Sequence, residues 1–196
     1  MKVAGNSTVH ALPTPYSDLT MQFKPVIRTL REHSSFLQGE ARADPTNASS
    51  YRRYVFQRVP ENDSALNFTW VLPEILQGRA QATSAQFYVG GALMGSAVHY
   101  HSAAANSLLH GQKLWLVLAP GDAVWSNEAI YDHLSRTDGA PEMKRCMQEA
   151  GDLFFVPHSW SHGAMCLSDC IGVAHEIAPS ASALDKIKRT GIGHSS

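Results

Sequence analysis

From Tyr51 onward, turn residues cut the chain about every ten positions into short β-prone stretches. These are Tyr51–Val59, Ala85–Val89, Ala97–His101, Leu114–Ala119, Leu153–Val156, Met165–Leu167 and Ile171–Ile177. Pieces this short cannot bury a face alone, so the cadence demands that they pair and close into a sandwich or barrel. Between them, Val124–Arg136 reads as a helical insert and Ala181–Lys188 as a short closing helix, with a tail over Gly191–Ser196. Upstream the rhythm differs. Residues 1–15 have no periodicity and read as an irregular lead-in. Leu19, Phe23, Val26, Ile27, Leu30 and Leu37 then recur at helical spacings, which predicts a helix within Ser17–Leu37 that Pro25 starts or divides. Gln38–Ser50 is rich in helix breakers and reads as a loop. The expected organisation is a helical lead-in over 1–50, a β domain over 51–180, and a short helix and tail over 181–196.

A chain of 196 residues supports one hydrophobic core. Sixteen Lys and Arg against seventeen Asp and Glu give a net charge of -1, which leaves no basic surplus for nucleic acid or an anionic bilayer as principal partner. Apolar runs such as Leu114–Ala119 are far too short to span a membrane, and nothing near Met1 has the apolar core of a signal peptide. Cys166 and Cys170 flank Leu-Ser-Asp, a turn that suits either a local bridge or two buried thiols; with Cys146 they are too few for a disulfide framework. Asn6, Asn47, Asn62 and Asn67 each begin a glycosylation sequon, an excess that points to a lumenal or secreted history.

Histidine carries the chemistry. In His99-Tyr100-His101, alternate side chains of a strand share a face, so the two imidazoles point together and form half of a metal site. The third ligand has to come from another strand. Gly151-Asp152 makes a turn, Leu153–Val156 a buried strand, and Pro157 through Ser159 ends it and returns the chain toward His162. In a closed barrel that returning strand can lie beside the first motif, and His99, His101 and His162 would form a facial triad with positions open for oxygen donors or a substrate.

The succession Gly90-Gly91-x3-Gly95-Ser96-x2-His99-Tyr100-His101, Gly111-Gln112-Lys113-Leu114-Trp115-x3-Ala119-Pro120, and Gly151-Asp152-Leu153-Phe154-Phe155-Val156-Pro157-x2-Trp160-x-His162 resembles the jumonji-C (JmjC) branch of the cupins, from about Tyr51 to Pro179. The resemblance implies a mainly β, double-stranded β-helix (a cupin or JmjC jelly roll), here with an N-terminal helix and a short helical insert. It also implies Fe(II)- and 2-oxoglutarate-dependent oxygenase chemistry on a protein substrate. Carried over, the metal ligands fall on His99, His101 and His162, with His101 where the family has a carboxylate. Lys113 and Ser96 fall where the family holds the far carboxylate of 2-oxoglutarate, and Glu176 lies near a position where some members have Asn. The His-aromatic-His variant is similar to that of a small lumenal member of the family, beside which the N-terminal part here is short. A neutral imidazole at 101 leaves the site more positive by one charge and opens the metal to Zn and other divalent ions besides Fe(II). Two alternatives stay open: a three-His cupin dioxygenase that uses no 2-oxoglutarate, and a non-catalytic JmjC fold that serves as a protein-binding or regulatory module. Tyr88, Tyr100, Trp115 and Trp160 read as core or rim aromatics, Asp152 as a turn residue and His158 as a surface residue.

Overall fold

A computed structural model describes residues 8–13, 26–29, 32, 53–58, 72–126, 128, 130–135 and 142–190. The four sequons lie outside these residues. The strands are β1 (Thr8–Pro13), β2 (Val26–Thr29), β3 (Arg53–Arg58), β4 (Ala80–Gly90), β5 (Gly95–His99), β6 (Ala104–His110), β7 (Gln112–Leu118), β8 (Lys144–Glu149), β9 (Leu153–Val156), β10 (Ser161–Cys166) and β11 (Cys170–Pro179), with helices α1 (Ile130–Ser135) and α2 (Ala181–Thr190). They form a seven-stranded sheet, β2-β1-β3-β4-β11-β6-β9, and a four-stranded sheet, β5-β10-β7-β8, with antiparallel pairing throughout. From β4 to β11 the chain crosses between sheets at every step except β7 to β8, which gives the jelly-roll winding of a double-stranded β-helix.

Each sheet has one face toward the barrel interior. On β7 the alternation puts Lys113 and Trp115 inside. On the outer side Leu116, Val98 and Met165 pack with Ile130 of α1, so the insert covers the smaller sheet. The closed end of the barrel is filled by Tyr54, Tyr88, Met94, Leu108, Cys166 and Cys170. The sulfurs of Cys166 and Cys170 are paired across the β10–β11 turn, with Cα atoms 6.0 Å apart, so the local bridge is the alternative the structure adopts. Gly172 sits opposite Tyr88 in the β11–β4 register, and a Cβ there would lie 2.1 Å from the tyrosine oxygen, so the position requires glycine.

Several elements differ from the sequence expectation. Thr8–Pro13 is a strand within the expected irregular lead-in, and β2 lies within the expected helix Ser17–Leu37, directly after Pro25, where Val26 and Ile27 favour extended backbone. Glu32 is helical, and the other residues of that span lie outside the described residues. Among the described residues the insert is helical over α1, preceded by a 3-10 turn at Pro120–Asp122. Strands β6 and β8 carry too little apolar alternation to signal themselves: Ala-Ala-Asn-Ser in one, and an almost wholly exposed polar face in the other.

Candidate metal centre

The register of the smaller sheet brings the two histidine motifs together. Strand β10 pairs with β5 so that His162 lies opposite His99, and the pairing shifts by one residue between His162 and Ala164. Such irregularities re-aim side chains at sheet ends. Regular strand structure stops at His99, so His101 reaches the site from the segment after β5. A backbone bond replaces the ladder there: the Ser159 N–H donates to the His101 carbonyl at 3.0 Å. Ser159 has φ 62°, a left-handed conformation that lets the Pro157–Trp160 turn present its N–H to the first motif.

The three ring centroids lie 4.4 Å (His99–His162), 4.7 Å (His101–His162) and 5.2 Å (His99–His101) apart. One ligand atom from each falls within 4.8 Å of the others. Each Nδ1 meets a backbone carbonyl: Ala97 at 2.7 Å for His99, Ser102 at 2.6 Å for His101 and Trp160 at 3.0 Å for His162. A carbonyl only accepts, so each Nδ1 carries the proton and each Nε2 keeps a lone pair for a ligand. Burial lowers His99 to about 4 and His162 to about 3, and neighbouring positive charge adds to the effect on both, so these rings are neutral at pH 7. A set of imidazoles with their Nδ1 atoms fixed on carbonyls and small side-chain adjustments to reach bonds of ~2 Å fits a divalent transition metal.

Below the triad lies an inner chamber of about 50 Å³, lined by Lys113, Ser96, Asn106, Tyr54 and Trp115 among others. Lys113 is only 1% exposed. Its Nζ donates to the Tyr54 hydroxyl at 3.1 Å and sits 3.6 Å from the centre of the Tyr88 ring. Among the described residues it has no carboxylate partner. Burial alone lowers it to about 7. The polar groups around it are tied to one another. The Tyr88 hydroxyl donates to Asn106 Oδ1 at 2.7 Å, Gln148 Nε2 donates to the Asn106 carbonyl at 2.8 Å, and Trp115 Nε1 donates to Gln148 Oε1 at 2.8 Å. Burial raises Tyr88, which keeps its hydroxyl protonated as that donor.

Above the triad an outer chamber of about 370 Å³ opens, lined by Gln86, Tyr100, Trp125, His175 and Glu176 with His99 and His101. Ser96 lines the inner chamber, as does Lys113, and Glu176 lines the outer one. Trp115 is core, Asp152 accepts the Glu149 N–H in its turn, and His158 is exposed. Tyr54, Asn106, Gln148 and Trp125 carry no local sequence signal, because each owes its place to pairing across sheets.

A family model described as the JmjC domain matches residues 61–184. No curated protein matches the chain. Among solved structures, that of YcfD, a ribosomal oxygenase from Escherichia coli in complex with cobalt and succinic acid, is similar with a TM-score of 0.38 and 16% identity. The likeness covers 59% of this chain and 30% of that one, so the chain spans less than a third of that protein's length.

Proposed function

The chain belongs to the JmjC-domain family, and on that premise we propose that it is a metal- and 2-oxoglutarate-dependent oxygenase acting on a protein side chain. The observation that supports this reading is the meeting of two features in one cavity: three imidazoles with free Nε2 atoms, and a buried lysine with no acidic partner among the described residues. A desolvated cation is stable only with compensation, and a ligand carboxylate would supply it. His99, His101 and His162 would hold the metal; Lys113 and Ser96 would take the far carboxylate. When bound, Fe(II) supplies the dioxygen chemistry that turns 2-oxoglutarate into succinate and carbon dioxide and places one oxygen atom on the substrate. The chain's own residues orient and exclude water. The Asn106–Tyr88–Gln148–Trp115 network holds the floor, and the Lys113 amine would take up a proton and meet its counter-charge together when a dianion enters.

In the conformation described, the inner chamber has room for only a few waters, so a five-carbon diacid requires Lys113 to leave the Tyr88 ring. That tightness favours, as a second reading, a three-His dioxygenase that uses no 2-oxoglutarate. Iron-dependent release of succinate from 2-oxoglutarate separates the two: its absence in protein with full metal content would reject the first reading. A metal-dependent activity untouched by Lys113→Ala would establish the second. A third arrangement, a JmjC fold that binds a partner without catalysis, predicts metal retention with no thermal shift on adding 2-oxoglutarate. Within the family we propose a resemblance to jumonji domain-containing protein 8, on the His-aromatic-His sequence followed by Gly111-Gln112-Lys113-Leu114-Trp115. The sequons and the Cys166–Cys170 bridge support the lumen of the endoplasmic reticulum as its compartment.

A further inference from the structure

The two histidine strands are poorly joined where the ligands sit. Strand β5 is an edge of the smaller sheet and pairs with β10 alone. The register runs Met165↔Gly95 and Ala164↔Ser96, then slips before His162↔His99, so that Ala97 and Val98 of β5 stand against Gly163 of β10. Such a bulge interrupts the ladder hydrogen bonds. On its other side β10 pairs with β7 without a break from Ser161 to Cys166, so the weak join is the one between His99 and His162.

The segment that leads into α1 touches both strands at this point, through three contacts to residues beside the ligands. Ser161, directly before His162, is fully buried; its hydroxyl accepts the Val124 N–H at 3.1 Å and donates to the Val124 carbonyl. Val98, directly before His99, offers its carbonyl to the Ser126 N–H at 2.9 Å. Ile130, buried at the start of α1, fills the notch at the bulge: a Cβ on Gly163 would lie 2.6 Å from Ile130 Cδ1 and 3.1 Å from Val98 Cγ2. Alternation explains the arrangement, because the side chain before a ligand points to the opposite face of the sheet from that ligand.

Residues 124–126 and Ile130 thus hold β10 through Ser161 and Gly163, and β5 through Val98, from the side away from the imidazoles. The 4.4 Å between the His99 and His162 rings depends on the spacing of these two strands, which their own interrupted ladder fixes poorly. We infer that this segment is an external clamp on the metal centre and that Ser161 is a positioning residue, its hydroxyl holding His162 at the separation from His99 that lets both serve one ion. Removing the hydroxyl takes a partner from the Val124 N–H and from the Val124 carbonyl at once, and frees one end of the clamp. The inference rests on the metal-binding reading of the triad and goes beyond it, since Ser161 lines neither chamber.

The experiment titrates the full chain with Co(II) alone and reads two quantities: the dissociation constant, and the visible d–d absorption at saturation, which reports coordination geometry. Ser161→Ala is expected to weaken Co(II) binding at least about tenfold and to alter the absorption, as removal of a group that orients ligands does. Ile130→Val deletes only the methyl that meets Gly163, a change small enough to leave the fold intact, and should weaken binding about threefold. Leu108→Val, an equally small change among the residues that fill the closed end, should leave both quantities at parental values. Parental affinity or parental absorption in Ser161→Ala overturns the inference; where that variant does not fold, parental affinity in Ile130→Val overturns it. So does a loss in Leu108→Val equal to that in Ile130→Val, which would mark the effect as general destabilisation. Absence of Co(II) binding by the parent chain rejects the triad as a metal centre and this inference with it. Binding by the parent that the variants share unchanged rejects this inference alone.

Discussion

The inner and outer chambers share His99 and His101 in their walls and differ in how their polar groups are satisfied. Below the triad, Tyr88, Asn106, Gln148 and Trp115 bond to one another, and Lys113 has no carboxylate partner among the described residues. Above it, the Glu176 carboxylate is exposed and the Tyr100 and Trp125 rings remain nearly half exposed. A closed polar network fixes a floor for one small ligand, because any guest that breaks it strands buried groups. An open rim tolerates variety. The molecule is therefore rigid where a co-substrate would sit and permissive where a substrate would enter.

The largest expected effect tests the triad itself. His162→Ala, which removes the most buried ligand, should lower affinity for a divalent transition metal by more than about a hundredfold, read as metal retained after dialysis. Retention at the parental level would show that the two chambers do not meet at a metal. Next comes the floor. Lys113→Met should abolish the rise in melting temperature caused by 2-oxoglutarate while metal content stays unchanged; a persisting rise would place the diacid elsewhere.

The same lysine gives a pH signature. Its folded pKa, about 7, lies below the ordinary lysine value of 10.5, so between these limits the unfolded chain binds more protons than the native one. Stability of the metal-free protein should therefore rise with pH from about 7 to about 10, and a pH series of thermal melts on Lys113→Met should lose that rise. For the triad the sign is the same and the window is more acidic. His99 and His162 are lowered from 6.5, so the stability associated with their neutral forms is lost as pH falls below 6.5 through their folded values.

A smaller effect comes from the network. Tyr88→Phe deletes the hydroxyl that donates to Asn106 and leaves a buried acceptor unpaired, at a cost of about 1–3 kcal/mol by denaturant unfolding. A change below half a kcal/mol would mean that the floor is wet. The smallest belongs to the rim: Trp125→Leu should alter unfolding free energy by about 0.5 kcal/mol or less, consistent with its exposure. A loss of several kcal/mol there would make the rim as structural as the floor and erase the contrast.

The β cadence after Tyr51 identified most of the barrel strands, because hydrophobic stretches bounded by turn residues leave few alternatives. It failed at β6 and β8. In β6, Asn106 and Ser107 occupy strand positions for reasons that lie across the sheet: Asn106 receives Tyr88 and Gln148 from β4 and β8. The N-terminal span misled in the other direction, since helical spacing at Val26 and Ile27 yielded to pairing of β2 on β1. The paired sulfurs of Cys166 and Cys170 could not be chosen from spacing alone, because a turn of that length also accommodates two thiols.

What the sequence determined by itself was local: which segments extend, where they turn, and that His99 and His101 are close enough along the chain to serve one ion. Strand register decided the rest. It set His162 opposite His99, buried Lys113 beneath them against Tyr88 and Tyr54, and gathered Glu176, Tyr100 and Trp125 around one opening. Those distances arise between residues far apart in the chain, and burial, which gives a lysine or a histidine its altered proton affinity, is a property of the closed barrel.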